Sequence, residues 1–242
     1  MRMKIGLMLT LCGVALGAAF GAHAQTTRKA ARTHAAPTVE ERWRESLDAF
    51  TAADTTRAPH AGGVVFVGSS SIRLWAGLES QFGSTRVVKR GFGGSRMTDC
   101  ARYADRLVVA YQPRLVVVYA GDNDLAEGRS PQQVLESFQE FVERVRAELP
   151  DTRIAYLSIK PSPRRAALMP VARATNALIR DYSAITPNLD FIDIYSKMLD
   201  AQGAPRADLF LADALHLNPA GYAVWTSVIA GHLGDGGPQR AP

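Results

Sequence analysis

The chain has 242 residues, of which 28 are lysine or arginine and 23 are aspartate or glutamate, giving a net charge of +5 at neutral pH. Loss of the leader described next removes Arg2 and Lys4 and no acidic residue, which leaves 26 basic and 23 acidic residues and a net charge of +3. This mild balance argues against nucleic-acid binding, which needs basic residues clustered on a folded face. Three of the basic residues, Arg28, Lys29 and Arg32, simply follow the leader in a polar stretch.

The first 24 residues have the pattern of a secretory signal peptide. A basic start precedes the apolar stretch Ile5 to Phe20 and the small residues Ala22 and Ala24, which predicts cleavage after Ala24. A single membrane anchor is the alternative, but the stretch is interrupted by polar and glycine residues and is shorter than the roughly 20 residues of a spanning helix. We expect an exported protein, periplasmic or secreted, with no stable membrane insertion after cleavage.

The rest of the chain is predicted to form one domain. Residues 25–37 are expected to be a disordered tether, residues 38–234 the domain, and residues 235–242 a flexible tail. The domain is long enough for a substantial core. Of the two cysteines only Cys100 lies outside the leader, so no intrachain disulfide is expected, and we interpret Cys100 as a small packed residue.

Strand and helix patterns alternate along the domain. Helices are predicted from a capping box at Thr38, over Ile72–Phe82, Pro131–Leu149 and Leu168–Ala184, and from a cap at Asn218 to about His232. Strands are predicted at Val64–Val67, Arg86–Lys89, Leu115–Tyr119, Ile154–Ile159 and Phe191–Ile194. Several strands are apolar at nearly every position, as in sheets covered on both faces. The alternation predicts a three-layer α/β fold with a parallel sheet, whose ligands bind beyond the carboxyl ends of the strands.

The segment Gly68-Ser69-Ser70-Ser71 directly follows the first strand. It places Ser70 where a helix begins, and free amides at a helix start favour a developing oxyanion. A serine hydroxyl becomes a strong nucleophile when a neighbouring base takes its proton. The alternative is a helix cap with solvated hydroxyls. A phosphate-binding loop of the Walker type would need a lysine that is missing after this segment.

A base for such a serine is found in Asp213-Ala214-Leu215-His216. The histidines outside the leader are His34, His60, His216 and His232. His216 alone has a carboxylate at a useful spacing, because Asp213 can hold its far ring nitrogen and stabilise the imidazolium. The alternative is an Asp and a His that satisfy backbone groups beside a helix.

Two further polar segments follow strands. In Gly121-Asp122-Asn123-Asp124 the Asn123 amide can donate to an oxyanion without carrying a charge. A cation site is the less favoured alternative, since no second carboxylate cluster with ligand spacing is present, and we interpret Asp124 as structural. In Gly91-Phe92-Gly93-Gly94-Ser95 the glycines allow a backbone amide to approach a ligand closely. The alternative is an ordinary turn, but the segment also lies at the carboxyl end of a predicted strand.

These four segments, in this order and spacing, resemble the SGNH hydrolase superfamily, also called the GDSL esterase/lipase family. The resemblance runs from about Gly63 to Leu233 and is nearest to the branch similar to platelet-activating-factor acetylhydrolase subunits. The family blocks fall on Gly68-Ser69-Ser70, on Gly94, on Gly121, Asn123 and Asp124, and on Asp213 and His216. Ser69 stands where the family has an aspartate; that aspartate is not a triad member, so we expect activity to persist.

The resemblance implies a catalytic triad of Ser70, His216 and Asp213, and an oxyanion hole formed by the amides of Ser70 and Gly94 and the Asn123 side chain. It implies a flavodoxin-like α/β/α sandwich with a central, mostly parallel five-stranded sheet. It also implies a small-acyl esterase acting on a small-molecule or glycan ester, with no metal and no organic cofactor. The alternatives are a carbohydrate O-deacetylase and a non-catalytic envelope protein that binds glycans or lipids.

Overall fold

The computed structural model describes residues 38–56 and 58–233; the predicted leader, tether and tail lie outside them. The helices are α1 (Val39–Thr56), α2 (Ser70–Arg73), α3 (Met97–Arg102), α4 (Ala104–Leu107), α5 (Asp122–Ala126), α6 (Pro131–Glu148), α7 (Met169–Ile185) and α8 (Pro219–Ala230). The strands are β1 (Val64–Gly68), β2 (Val87–Gly91), β3 (Leu115–Tyr119), β4 (Arg153–Leu157) and β5 (Leu189–Ile192). Within the described part of the chain, no helix combines the length and the apolar character that crossing a membrane requires.

The five strands form one parallel sheet in the order β2-β1-β3-β4-β5. The chain therefore first extends the sheet on one side of β1 and then on the other. Gly68 at the end of β1 is in register with Gly91 of β2 and Tyr119 of β3. The segments that follow these three strands consequently leave the sheet at the same level, where parallel sheets of this order bind ligands.

Each face of the sheet is covered by helices. Val65 and Val67 of β1 pack in a core that α1, α3, α6 and α7 complete, whereas Val64 and Phe66 pack in a second core with α2 and α8. Side chains of a strand alternate between its faces, and all five residues of β1 are buried, so both faces of this strand are covered. This arrangement confirms the predicted three-layer α/β fold.

The prediction of one helix over Ile72–Phe82 is wrong. Helix α2 ends at Arg73, and only a short 3-10 turn, Leu78–Ser80, follows. Gly77 lies between them, directly before the 3-10 turn, with a φ of +67°, a left-handed conformation that interrupts a continuous helix and that glycine adopts readily. Trp75, which is 0% exposed, leaves the helix to stack on Tyr222 with 5.0 Å between ring centroids. Tertiary packing of one aromatic side chain thus overrides the local helical pattern.

The sequence patterns also missed the short helices α3, α4 and α5. Each has four to six residues, too few to show a helical period. Asp99, the third residue of α3, caps the start of the helix, because its carboxylate accepts the amide of Arg96 at 2.9 Å. It brings the fully buried Cys100 into the core, where burial raises the pKa of the thiol. The interpretation of Cys100 as a packed residue is therefore confirmed.

Candidate active site

The turn after β1 fixes the three serines in different surroundings. Gly68 has a φ of +148°, and a Cβ atom there would overlap the carbonyl oxygen of Tyr119. The amide of Ser69 donates to that same carbonyl at 3.0 Å. Ser69 and Ser71 are 3% and 2% exposed, whereas Ser70, the first residue of α2, is only half-buried. Among the three, Ser70 presents the most accessible hydroxyl.

His216 links Ser70 to Asp213. Its Nε2 atom lies 3.1 Å from Ser70 Oγ, and its Nδ1 atom lies 2.6 Å from Asp213 Oδ2. The hydrogen bond from His216 and two backbone amides hold the pKa of Asp213 well below its usual range. Because Asp213 is ionised, it favours the tautomer with the proton on Nδ1, which leaves Nε2 free to accept the proton of Ser70.

The backbone around Asp213 is built to hold this geometry. Asp213 Oδ1 accepts the amides of Leu215 and His216, each at 2.9 Å, across a turn in which Ala214 has a φ of +58°. The amide of Leu211 donates to the carbonyl of His216 at 2.8 Å and closes the loop. The predicted cap of the last helix is confirmed, since Asn218 accepts the amide of Gly221 at 3.0 Å.

The three groups predicted to form the oxyanion hole all retain donor capacity. Ser70 begins a helix, and Gly94 has a φ of +81°; within the described residues neither of their amides donates to a backbone carbonyl. Asn123 donates one Nδ2 hydrogen to the carbonyl of Ser95 at 2.9 Å, which leaves its second hydrogen for another acceptor. That bond ties the segment after β3 to the glycine segment after β2.

An ion-pair network behind Asn123 was not found by sequence reasoning. Lys160, 4% exposed, places its Nζ 3.1 Å from Asp122 Oδ2 and 3.3 Å from the hydroxyl of Tyr119. Arg165 lies 2.8 Å from Asp122 Oδ1 and donates to Asn123 Oδ1 at 3.1 Å. Burial alone would raise the pKa of Asp122, but the charges of Lys160 and Arg165 outweigh it and the pKa is lowered.

This network accounts for the carboxylates that first suggested a cation site. Asp122 is occupied by the two cations, and Asp124 accepts the amide of Met97 at 2.9 Å with a fully buried side chain. Asp124 therefore connects the segment after β3 to the start of α3, in the structural role predicted for it. In the part of the chain that the structure describes, no group of three His, Cys, Asp or Glu residues is arranged to hold a metal ion.

Comparison with known proteins matches the sequence to a family. A sequence model of the GDSL-like lipase/acylhydrolase family matches residues 48–224. A search of curated proteins finds no match.

Solved structures share the fold at low sequence identity. A Streptococcus pneumonia protein named as a platelet activating factor superposes with a TM-score of 0.71 at 18% identity, covering 81% of this chain and 94% of its own. A GDSL-like lipase from Bacteroides thetaiotaomicron has a TM-score of 0.65 at 20% identity and coverages of 76% and 94%. A carbohydrate esterase of family 3 from Talaromyces cellulolyticus has a TM-score of 0.57 at 19% identity and coverages of 70% and 94%.

Proposed function

Because the chain belongs to the GDSL-like lipase/acylhydrolase family, we propose that it is an exported serine esterase that hydrolyses carboxylic esters of small acyl groups. Ser70 is the nucleophile, His216 the general base and Asp213 the residue that orients it. The observation that carries the proposal is the continuous chain of contacts from Ser70 Oγ through both nitrogens of His216 to the Asp213 carboxylate.

The reaction proceeds in two acyl-transfer steps. Ser70 Oγ attacks the ester carbonyl while His216 Nε2 takes its proton, and the resulting oxyanion is held by the amides of Ser70 and Gly94 and by Asn123. As the carbon–oxygen bond to the alcohol breaks, His216 gives the proton to the leaving oxygen. Water then attacks the acyl-enzyme, His216 takes its proton and returns it to Ser70, and the free acid leaves.

A small acyl group is favoured because residues 38–56 and 58–233 contain no long apolar lid insertion near the site. The segment that borders Asn123, between β4 and α7, is short and carries the charged residues Arg164 and Arg165. A long acyl chain binds through apolar contact area, which the charged ends of these two arginines do not supply.

The second candidate is a carbohydrate O-deacetylase using the same residues. The fold similarity to the family 3 carbohydrate esterase from Talaromyces cellulolyticus, and to a protein described as an acetyl esterase, is the observation that favours it. A third candidate, which is not an enzyme, is an envelope protein that binds glycans or lipids. The presence of Ser70, Asn123, Asp213 and His216, the residues that acyl transfer would use, argues against it.

A substrate panel with an active-site label tests these alternatives together. We expect the purified protein to hydrolyse 4-nitrophenyl acetate with a kcat/KM about tenfold or more above that for the laurate ester, since the charged ends of Arg164 and Arg165 give the longer chain no apolar contact. A fluorophosphonate probe should label Ser70, as located by peptide mass spectrometry. Faster acetate release from acetylated xylan than from aryl or glycerol acetates would favour the deacetylase. A protein that neither turns over any ester nor takes the label would contradict the enzyme proposal.

Export is tested separately from catalysis. When the whole sequence is expressed in a bacterial host, we expect the protein in the periplasm or the medium to begin at Gln25, because the predicted cleavage follows Ala24. N-terminal sequencing and intact mass measure this. A protein that keeps its first 24 residues in the membrane fraction would support the anchor alternative instead.

A further inference from the structure

Arg73, the last residue of α2, extends over the glycine segment after β2, residues 91–95. It stands three residues after Ser70 in one helical turn, so both side chains emerge on the same side of α2. Its Nε and Nη2 atoms lie 2.7 and 3.0 Å from where a Cβ atom would stand on Gly93. Gly93 is not among the residues with positive φ, so its lack of a side chain serves this close approach and not an unusual backbone conformation.

Arg42 reaches the same segment from α1. Its Nη2 atom donates to the carbonyl of Gly94 at 3.4 Å, and its guanidinium lies 4.6 Å from the ring centroid of Trp43. Arg42 and Arg73 are both solvent-exposed. Two guanidinium groups therefore flank the loop whose Gly94 amide is the proposed oxyanion donor.

Neither guanidinium is neutralised by a carboxylate within the described residues. No ion pair there includes Arg42 or Arg73, and Asp235 is the one acidic residue of the sequence outside that range. Two carboxylates beside the end of the loop, Asp99 and Glu127, already pair with Arg96. The loop thus carries an excess of positive charge that attracts anions to the mouth of the site.

From this arrangement we infer that the natural substrate is an ester whose alcohol part carries an anionic group, a carboxylate or a phosphate, that binds to Arg73 with Arg42 beside it. This inference rests on the proposed function. The anion belongs to the alcohol because the acyl group is small and lies at Ser70. A guanidinium offers paired donors that fit both kinds of oxyanion.

Two nearly isosteric substrates test the inference. The acetyl ester 4-acetoxybenzoate carries a carboxylate on its leaving phenol, whereas 4-acetoxybenzamide is neutral at that position. We expect Arg73→Gln to lower kcat/KM for the benzoate about fivefold relative to the benzamide, because a partly exposed charged hydrogen bond is lost. Arg73→Lys should keep most of the preference for the benzoate over the benzamide, measured as the ratio of their kcat/KM values. Added salt should lower this ratio in the unchanged protein.

Arg86→Gln is the matched control, since it removes the same exposed charge just before β2, at the opposite end of that strand. Arg86→Gln should leave the ratio of kcat/KM for the benzoate to kcat/KM for the benzamide unchanged. An equal loss on both substrates in Arg73→Gln, or no loss on either, would overturn the inference while leaving the esterase proposal intact. If the unchanged protein hydrolyses 4-nitrophenyl acetate but neither of these two esters, the inference alone is overturned. If it hydrolyses no ester and takes no fluorophosphonate label, the proposed function fails and the inference fails with it.

Discussion

Replacing Ser70 with alanine is expected to lower kcat for 4-nitrophenyl acetate by a factor of about 10⁴ to 10⁶, the range in which removal of a triad nucleophile falls. The reason is geometric, because Ser70 Oγ is the hydroxyl that lies 3.1 Å from Nε2 of His216, the proposed base. The variant should fold normally, since the side chain is small and half-buried. Steady-state kinetics measure the loss, and a thermal melt checks the fold.

The neighbouring serines supply the controls. Ser71 is 2% exposed, and its carbonyl already accepts the hydroxyl of Tyr222 at 2.9 Å. Ser69 is the residue just before α2, and its side chain makes no cap hydrogen bond. Alanine at either position should leave kcat within about tenfold of the unchanged protein, because neither hydroxyl contacts the base. A protein that is inactive as Ser71→Ala and active as Ser70→Ala would show that the nucleophile has been assigned to the wrong serine.

The parts of the site that could be predicted from the sequence are those carried by contiguous segments. The strand Val64–Val67 is recognisable from its apolar residues, and Asp213 and His216 are recognisable from their spacing. The contact between His216 and Ser70, 146 residues apart in sequence, follows from no local pattern. It was expected only because strand ends meet at one edge and because the four segments together resemble a family.

The ion-pair network was missed for a related physical reason. Asp122 follows β3 and Lys160 follows β4, and the two meet only because β3 and β4 are neighbours in the sheet. The sequence patterns indicate a parallel sheet but do not by themselves say which strands are adjacent. A buried lysine also has no signature in a sequence, since it differs from an exposed one only by its surroundings. The prediction of a long helix after Ser70 was wrong for the same kind of reason, because the packing of Trp75 against Tyr222 is a tertiary contact that the local sequence does not show.

Asp122→Asn is expected to have the largest effect on stability, about 3–5 kcal/mol, because it leaves a buried cation without its counter-charge. Lys160 is 4% exposed, and Arg165 would face it across a neutral side chain. For a domain of this size the loss corresponds to a decrease in Tm of about 10 °C. Because the pKa of Asp122 is lowered on folding, its stabilisation is present above the unfolded-state pKa and is lost as the pH falls through the folded-state value. Urea unfolding of both proteins at pH 7 and at a series of lower pH values should therefore show a large difference in stability that shrinks as the pH falls.

A double-mutant cycle separates this charge effect from a simple loss of packing. Lys160→Met removes the buried cation, so the double variant with Asp122→Asn should be more stable than Asp122→Asn alone, although the single changes are each destabilising. Asp181→Asn, which breaks the exposed pair between Asp181 and Arg180, should shift the unfolding midpoint far less. If Asp122→Asn costs no more than Asp181→Asn, the network does not stabilise the fold. If instead stability falls as expected while kcat also drops, Arg165 needs Asp122 in order to hold Asn123, since Arg165 contacts both residues.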